Sequence, residues 1–177
     1  MKKLLLIFIL VSTTSNNSFA ENMFNVRMSG VALAAGIFAV EADVIVTDNI
    51  SIGPMYIKYP SSNIGVSSHS LSAMGARANW YMNEIEEDGL LVGAFYRRWS
   101  SKADNSLASG EANANEVAVL VGYRWMWDNL NITAEGGIRN VSFAGAKAQS
   151  ATEREVIPGG GDSYTGPSAD ISVGWFF

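Results

Sequence analysis

Cysteine is absent from the 177 residues, which excludes disulfides, thiolate metal sites and a lipidated cysteine anchor. A single histidine, His69, leaves transition-metal chemistry without a ligand set. Charged residues make up only 16 % of the chain, and acids outnumber bases 17 to 12. That balance argues against nucleic acid as a partner. Long apolar runs are missing too. Residues 4–11 are too few to span a bilayer, and 30–40 (GVALAAGIFAV) reach about half the ~20 residues that a membrane helix needs before Glu41 and Asp43 interrupt them.

Residues 1–20 have the layout of a secretory signal peptide. Lys2 and Lys3 precede the apolar run, a polar stretch follows, and Ser18-Phe19-Ala20 offers small residues at −3 and −1 of a cut. The expected mature chain, residues 21–177, suits one domain, and losing the two lysines moves its formal charge from −5 to about −7.

What the mature part has in abundance is alternation. The chain closes on Ala169, Ile171, Val173, Trp175 and Phe177, each separated by a small or polar residue except at Phe176. Phe38, Val40, Ala42, Val44 and Val46 alternate with Ala39, Glu41, Asp43 and Ile45. Val117, Val119, Val121, Tyr123, Trp125 and Trp127 share one face of another segment, opposite Glu116, Ala118, Leu120, Gly122 and Arg124. Period two means strands. Turn chemistry divides the chain into eight: 24–34, 37–46, 50–59, 71–82, 90–99, 116–127, 130–143 and 164–177. Short turns alternate with long Ser/Gly/Ala/Asn-rich connections at 60–70, 100–115 and 144–163; the exception is Ala35-Gly36, a tight turn where a long loop is due. In the third strand the phase is open: either Ile52, Pro54, Tyr56 and Lys58, or Met55, Ile57 and Tyr59, face outward. In the fifth, Leu90, Val92, Ala94 and Tyr96 read as the outer face.

An exported chain with a closing aromatic strand resembles the bacterial outer-membrane β-barrels, and the strand count points to their small OmpA/OmpX-type members. The opening stretch, from Asn25-Val26-Arg27 through Gly36-Ile37 to 48–53, is also similar to a family of small, mostly uncharacterised outer-membrane barrel proteins. The resemblance implies an all-β, eight-stranded antiparallel up-and-down transmembrane barrel, a monomer in outer-membrane lipid with both termini periplasmic. It further implies that Ile171, Val173, Trp175 and Phe177 form the signal read by the barrel-insertion machinery. On that reading, deleting Phe177 slows insertion and leaves unfolded protein in the periplasm; heat-modifiable gel mobility of purified membranes checks it, and unchanged mobility and yield contradict it.

Charge placement separates this reading from a soluble barrel, because the polar faces carry mid-strand acids and arginines beside glycine. The expected interior ion-pair network comprises Glu41, Asp43, Glu135 and Asp170 against Arg77, Arg97, Arg124 and Arg139. Trp80, Trp125, Trp127 and Trp175 are expected in an aromatic girdle at the membrane interface on the periplasmic side, with Tyr56, Tyr59, Tyr96 and Trp99 in the outer one. No cofactor or metal is expected. The acidic run Glu84, Glu86, Glu87 and Asp88 lacks a calcium-loop pattern, and Gly159-Gly160-Gly161 lacks the setting of a phosphate loop. The expected function is a structural or surface-interaction role carried by the extracellular loops, with host or cell-surface ligands as partners and no open pore. Two alternatives stand beside it: a lipid A-modifying enzyme of the barrel deacylase or palmitoyl transferase kind, for which His69 is a candidate, and a narrow channel.

Overall fold

The computed structural model describes residues 24–64, 67–104, 108–150 and 160–177. The expected leader lies outside the described residues, as do parts of all three expected long loops. The elements are β1 (Phe24–Ser29), α1 (Gly30–Ala34), β2 (Phe38–Thr47), β3 (Ile50–Lys58), β4 (Ser62–Ile64), β5 (Ser67–Tyr81), β6 (Gly89–Asp104), β7 (Ala108–Trp127), β8 (Leu130–Ser150) and β9 (Gly160–Phe176). Each strand pairs antiparallel with its neighbour, and β1 pairs with β9, so the sheet closes into a ring. The short β4 continues β3 along the same edge of β5. Eight antiparallel up-and-down staves result. At the seam, Phe177 N–H donates to Phe24 O at 2.8 Å.

The first expected strand ends early. Gly30–Ala34 forms a single helical turn instead: Ser29 caps it, its Oγ accepting from Ala32 N at 3.0 Å. Gly36, at φ 73°, lets Ile37 N donate back to Ala32 O at 2.8 Å. Residues 30–36 carry no polar group at odd or even positions, and alanine favours helix, so nothing in them resists the turn. A second difference lies at the opposite extreme of strand length. The expected loops are largely ladder: Ser68–Asp104 pairing extends β5 and β6 upward, and Asp104 pairs with Ser109 across β6 and β7. Above the core both faces of these strands meet solvent, so the backbone ladder persists where the side-chain alternation has gone.

The two prolines inside strands sit where a missing N–H is tolerated. Pro54 lies opposite the point where the β2–β3 register skips Ala42 and Asp43. Pro167 lies in the part of β9 above the end of β1, where β8 is its only paired strand among the described residues.

Facing directions follow strand parity. Outward are Val26, Val44, Ile52, Ala78, Val92, Val119, Val121, Ile138, Ile171 and Val173 with their same-phase neighbours; inward are Arg27, Asp43, Arg77, Arg124 and Glu135. The open phase of β3 is settled: Ile52, Pro54, Tyr56 and Lys58 point out, and Met55 is buried. The fifth expected strand, here part of β6, keeps its expected phase.

Candidate functional site in the barrel interior

The interior is stacked in layers. At the end that carries the short turns, Ile45, Tyr81, Ile85, Leu91 and Phe176 form an apolar cluster. The turn between β5 and β6 folds across this end, with Ile85 N donating to Asp48 O at 2.7 Å. Asp88 Oδ1 accepts from Met126 N at 2.5 Å. Arg124 reaches into the same cluster alone. Its guanidinium donates to the carbonyl of Ile85 and lies 4.0 Å from the Tyr81 ring centroid. The acidic run therefore serves as a lid, held by backbone groups that the sequence does not advertise.

The next layer carries the main charge cluster. Arg27 Nη2 lies 2.8 Å from Glu41 Oε2 and 3.0 Å from Asp43 Oδ2. Arg77 forms a two-pronged pair with Glu135, one prong at 2.6 Å, and reaches Glu41 at 3.6 Å. Its Nε donates to Asn79 Oδ1 at 2.6 Å, and Asn79 in turn donates to Ser51 at 3.2 Å. Space for these large cations comes from glycine. A Cβ at Gly93 would strike the Arg77 guanidinium and Asn79, and one at Gly174 would strike Arg27 and Asn131. We expect Gly93→Ala and Gly174→Ala each to destabilise the barrel by about 1–3 kcal/mol through overpacking. Gly136→Ala, where the nearest atom is 3.8 Å from the added Cβ, should be near neutral. Urea midpoints followed by tryptophan fluorescence check the contrast.

Above this layer Met55, Phe95, Ala118 and Leu120 cluster. A second charged layer follows. Glu116 accepts from Arg97 Nε at 2.6 Å and Nη2 at 2.8 Å, and from Trp99 Nε1 at 2.5 Å. Arg139 stands 3.7 Å from the same carboxylate.

The expected eight residues thus fall into distinct places. Glu41, Asp43, Arg77 and Glu135 come together around Arg27; Arg97 and Arg139 gather on Glu116; Arg124 sits apart in the lower plug. Asp170 accepts from Ser29 Oγ at 2.5 Å, and among the described residues no ion pair joins it to an arginine. Sequence reasoning passed over Arg27 and Glu116. Arg27 shares its phase with Asn25 against Phe24, Val26 and Met28, and Glu116 opens the polar face of its strand, so parity alone was enough to find both.

Two expected girdle aromatics are corrected. Trp99 turns inward onto Glu116, and Tyr59 packs against it with ring centroids 6.0 Å apart. Trp80, Trp125, Trp127 and Trp175 do point outward, as do Tyr56 and Tyr96. Ile171, Val173 and Trp175 share the exposed outer face of β9, and Phe177, just past its end, is exposed as well. His69 is exposed within β5, paired through its backbone with Ser62 and Ala103, rather than in a loop. Among the described residues no group of three or more histidines and carboxylates is placed to hold a metal ion. No protein-family model, curated protein or solved structure matches the chain.

Proposed function

We propose that this chain is an integral outer-membrane barrel, sealed along its axis, whose role is exercised at the cell surface by the tall ridge of β5–β8. The observation that carries the reading is the inversion of polarity. The wall exposes valine, isoleucine, leucine and tryptophan while burying arginines and carboxylates in pairs. A barrel in water gains nothing from such an arrangement. One in hydrocarbon requires it, and ring closure satisfies its backbone groups.

The dimensions support the same reading. On β7 the apolar outer face runs from Val117 to Trp127, and at about 3.3 Å per residue with a strand tilt near 40° it stands roughly 25 Å high, the height of the apolar band in such barrels. The rim charges Lys58, Arg98 and Lys102 lie above it. The apolar plug and the ion-paired layers favour a closed interior over a narrow channel. A lipid A-modifying activity lacks support, since no serine or carboxylate is hydrogen-bonded to His69 among the described residues.

The ridge is what remains for biology. β5–β8 rise above the band, whereas the α1 side of the mouth is low. Because the chain has no cysteine, single cysteines report topology cleanly. In intact cells Lys102→Cys on the ridge should react with a membrane-impermeant maleimide. Glu84→Cys on the lower turn should react only after the outer membrane is permeabilised. The reverse pattern, or equal reaction of both, overturns the proposed orientation.

A further inference from the structure

Two cavities meet inside the upper barrel, and their chemistry differs. The lower one, about 290 Å3, is bounded by both charged layers. The upper one, about 370 Å3, is a mouth walled by Leu71, Ala112, Ala114, Val141, Phe143 and Tyr164. Arg139 and Trp99 line both. We propose that this double chamber binds a single-tailed amphiphile with a carboxylate head, seated head-down on Arg139 with its chain in the mouth.

The case rests on local charge and on unused donors. The upper layer holds two arginines, Arg97 and Arg139, and one carboxylate, Glu116. Glu116 is already taken by Arg97 and Trp99 at 2.5–2.8 Å. Arg139 is left with a contact of 3.7 Å to that carboxylate; its Nε is buried, so the 38 % of its side chain that is exposed lies elsewhere on the side chain. Within that layer the surplus is one positive charge, which a singly charged anion neutralises; Asp170, which also lines the lower cavity, stands beside Glu135 in the layer below. The two terminal nitrogens of a guanidinium also form a planar fork that a carboxylate accepts in two parallel bonds. The walls above carry Ser101, Asn113 and the Tyr164 hydroxyl but no charged group beyond Glu116 and Arg139, and their largely apolar surface accommodates a hydrocarbon chain. Together the two cavities fall in the size range of small-molecule sites.

Trp99 provides the readout. With the barrel reconstituted in lipid nanodiscs, 2-bromodecanoate should quench tryptophan fluorescence with a saturable component. That component should vanish in Trp99→Phe and require at least tenfold more ligand in Arg139→Gln. Arg139→Lys, which keeps the charge without the fork, should fall between. Ala114→Leu, which narrows the mouth and leaves the charges alone, should also weaken binding, and heat-modifiable mobility shows that each variant is folded. The neutral 2-bromodecanol should lack the saturable component. The inference is overturned by quenching that is non-saturable and equal in Trp99→Phe, by unchanged affinity in Arg139→Gln, or by equal binding of the alcohol.

Discussion

Glu135→Ala is expected to lower the unfolding free energy of the barrel by about 3–5 kcal/mol, the cost of leaving a buried charge without its partner. Arg77 is 3 % exposed, and Glu135 supplies both of its close carboxylate contacts. With Glu135 gone the remaining carboxylate is Glu41, 3.6 Å away and already engaged by Arg27 at 2.8 Å. The Arg77 head borders the inner cavity rather than bulk solvent, so its charge stays poorly hydrated. The double variant Arg77→Met/Glu135→Leu removes both charges and keeps most of the volume, so it should recover the larger part of the loss. Urea titration in detergent micelles, read by fluorescence and by gel mobility, gives both numbers. A loss under 1 kcal/mol for Glu135→Ala would mean that the pair is solvated and the interior is wetter than described.

Val121→Arg should produce the second large effect, on the opposite face. Val121 is 56 % exposed near the middle of the apolar band on β7, between Val92 and Gly136 on the neighbouring strands. On a barrel standing in water an exposed valine exchanged for arginine changes stability by a few tenths of a kcal/mol. On one standing in a bilayer the same change near the midplane costs about 2–4 kcal/mol. Glu111→Lys, on the ridge above the band, serves as the reference and should cost close to nothing. Equilibrium unfolding from phospholipid vesicles measures the difference between the two variants. Equal stability of both contradicts a lipid-facing wall.

How much of this was legible in the residues varies along the chain. From 116 to 139 the alternation of large apolar and polar groups was strong enough to give facing direction residue by residue. At 30–36 it was not, because glycine and alanine read the same on either face, and the helical turn is decided by Ser29 and Gly36 at its ends. The upper ladders were hidden for a related reason: Ser, Ala, Asn and Gly alternate nothing when neither side meets a core. Trp99 shows a different failure. Phe95 and Arg97 already placed its phase inside, and only the habit of assigning tryptophan to a membrane interface put it outside. The charged interior was readable as a set of residues but not as pairs. Which acid meets which arginine depends on register and shear, and Glu116 gathers two arginines that the sequence sets 42 residues apart.

The central claim is that the apolar wall faces lipid, and cysteine scanning of β7 tests it most directly. Val117→Cys, Val119→Cys and Val121→Cys, with Arg98→Cys as the rim reference, are to be treated in sealed vesicles with a charged, water-soluble maleimide and with a lipid-soluble one. The account predicts that Arg98→Cys reacts with the water-soluble reagent while Val119→Cys and Val121→Cys react only with the lipid-soluble one. If Val119→Cys reacts with the water-soluble maleimide as fast as Arg98→Cys, the wall faces water and the claim fails.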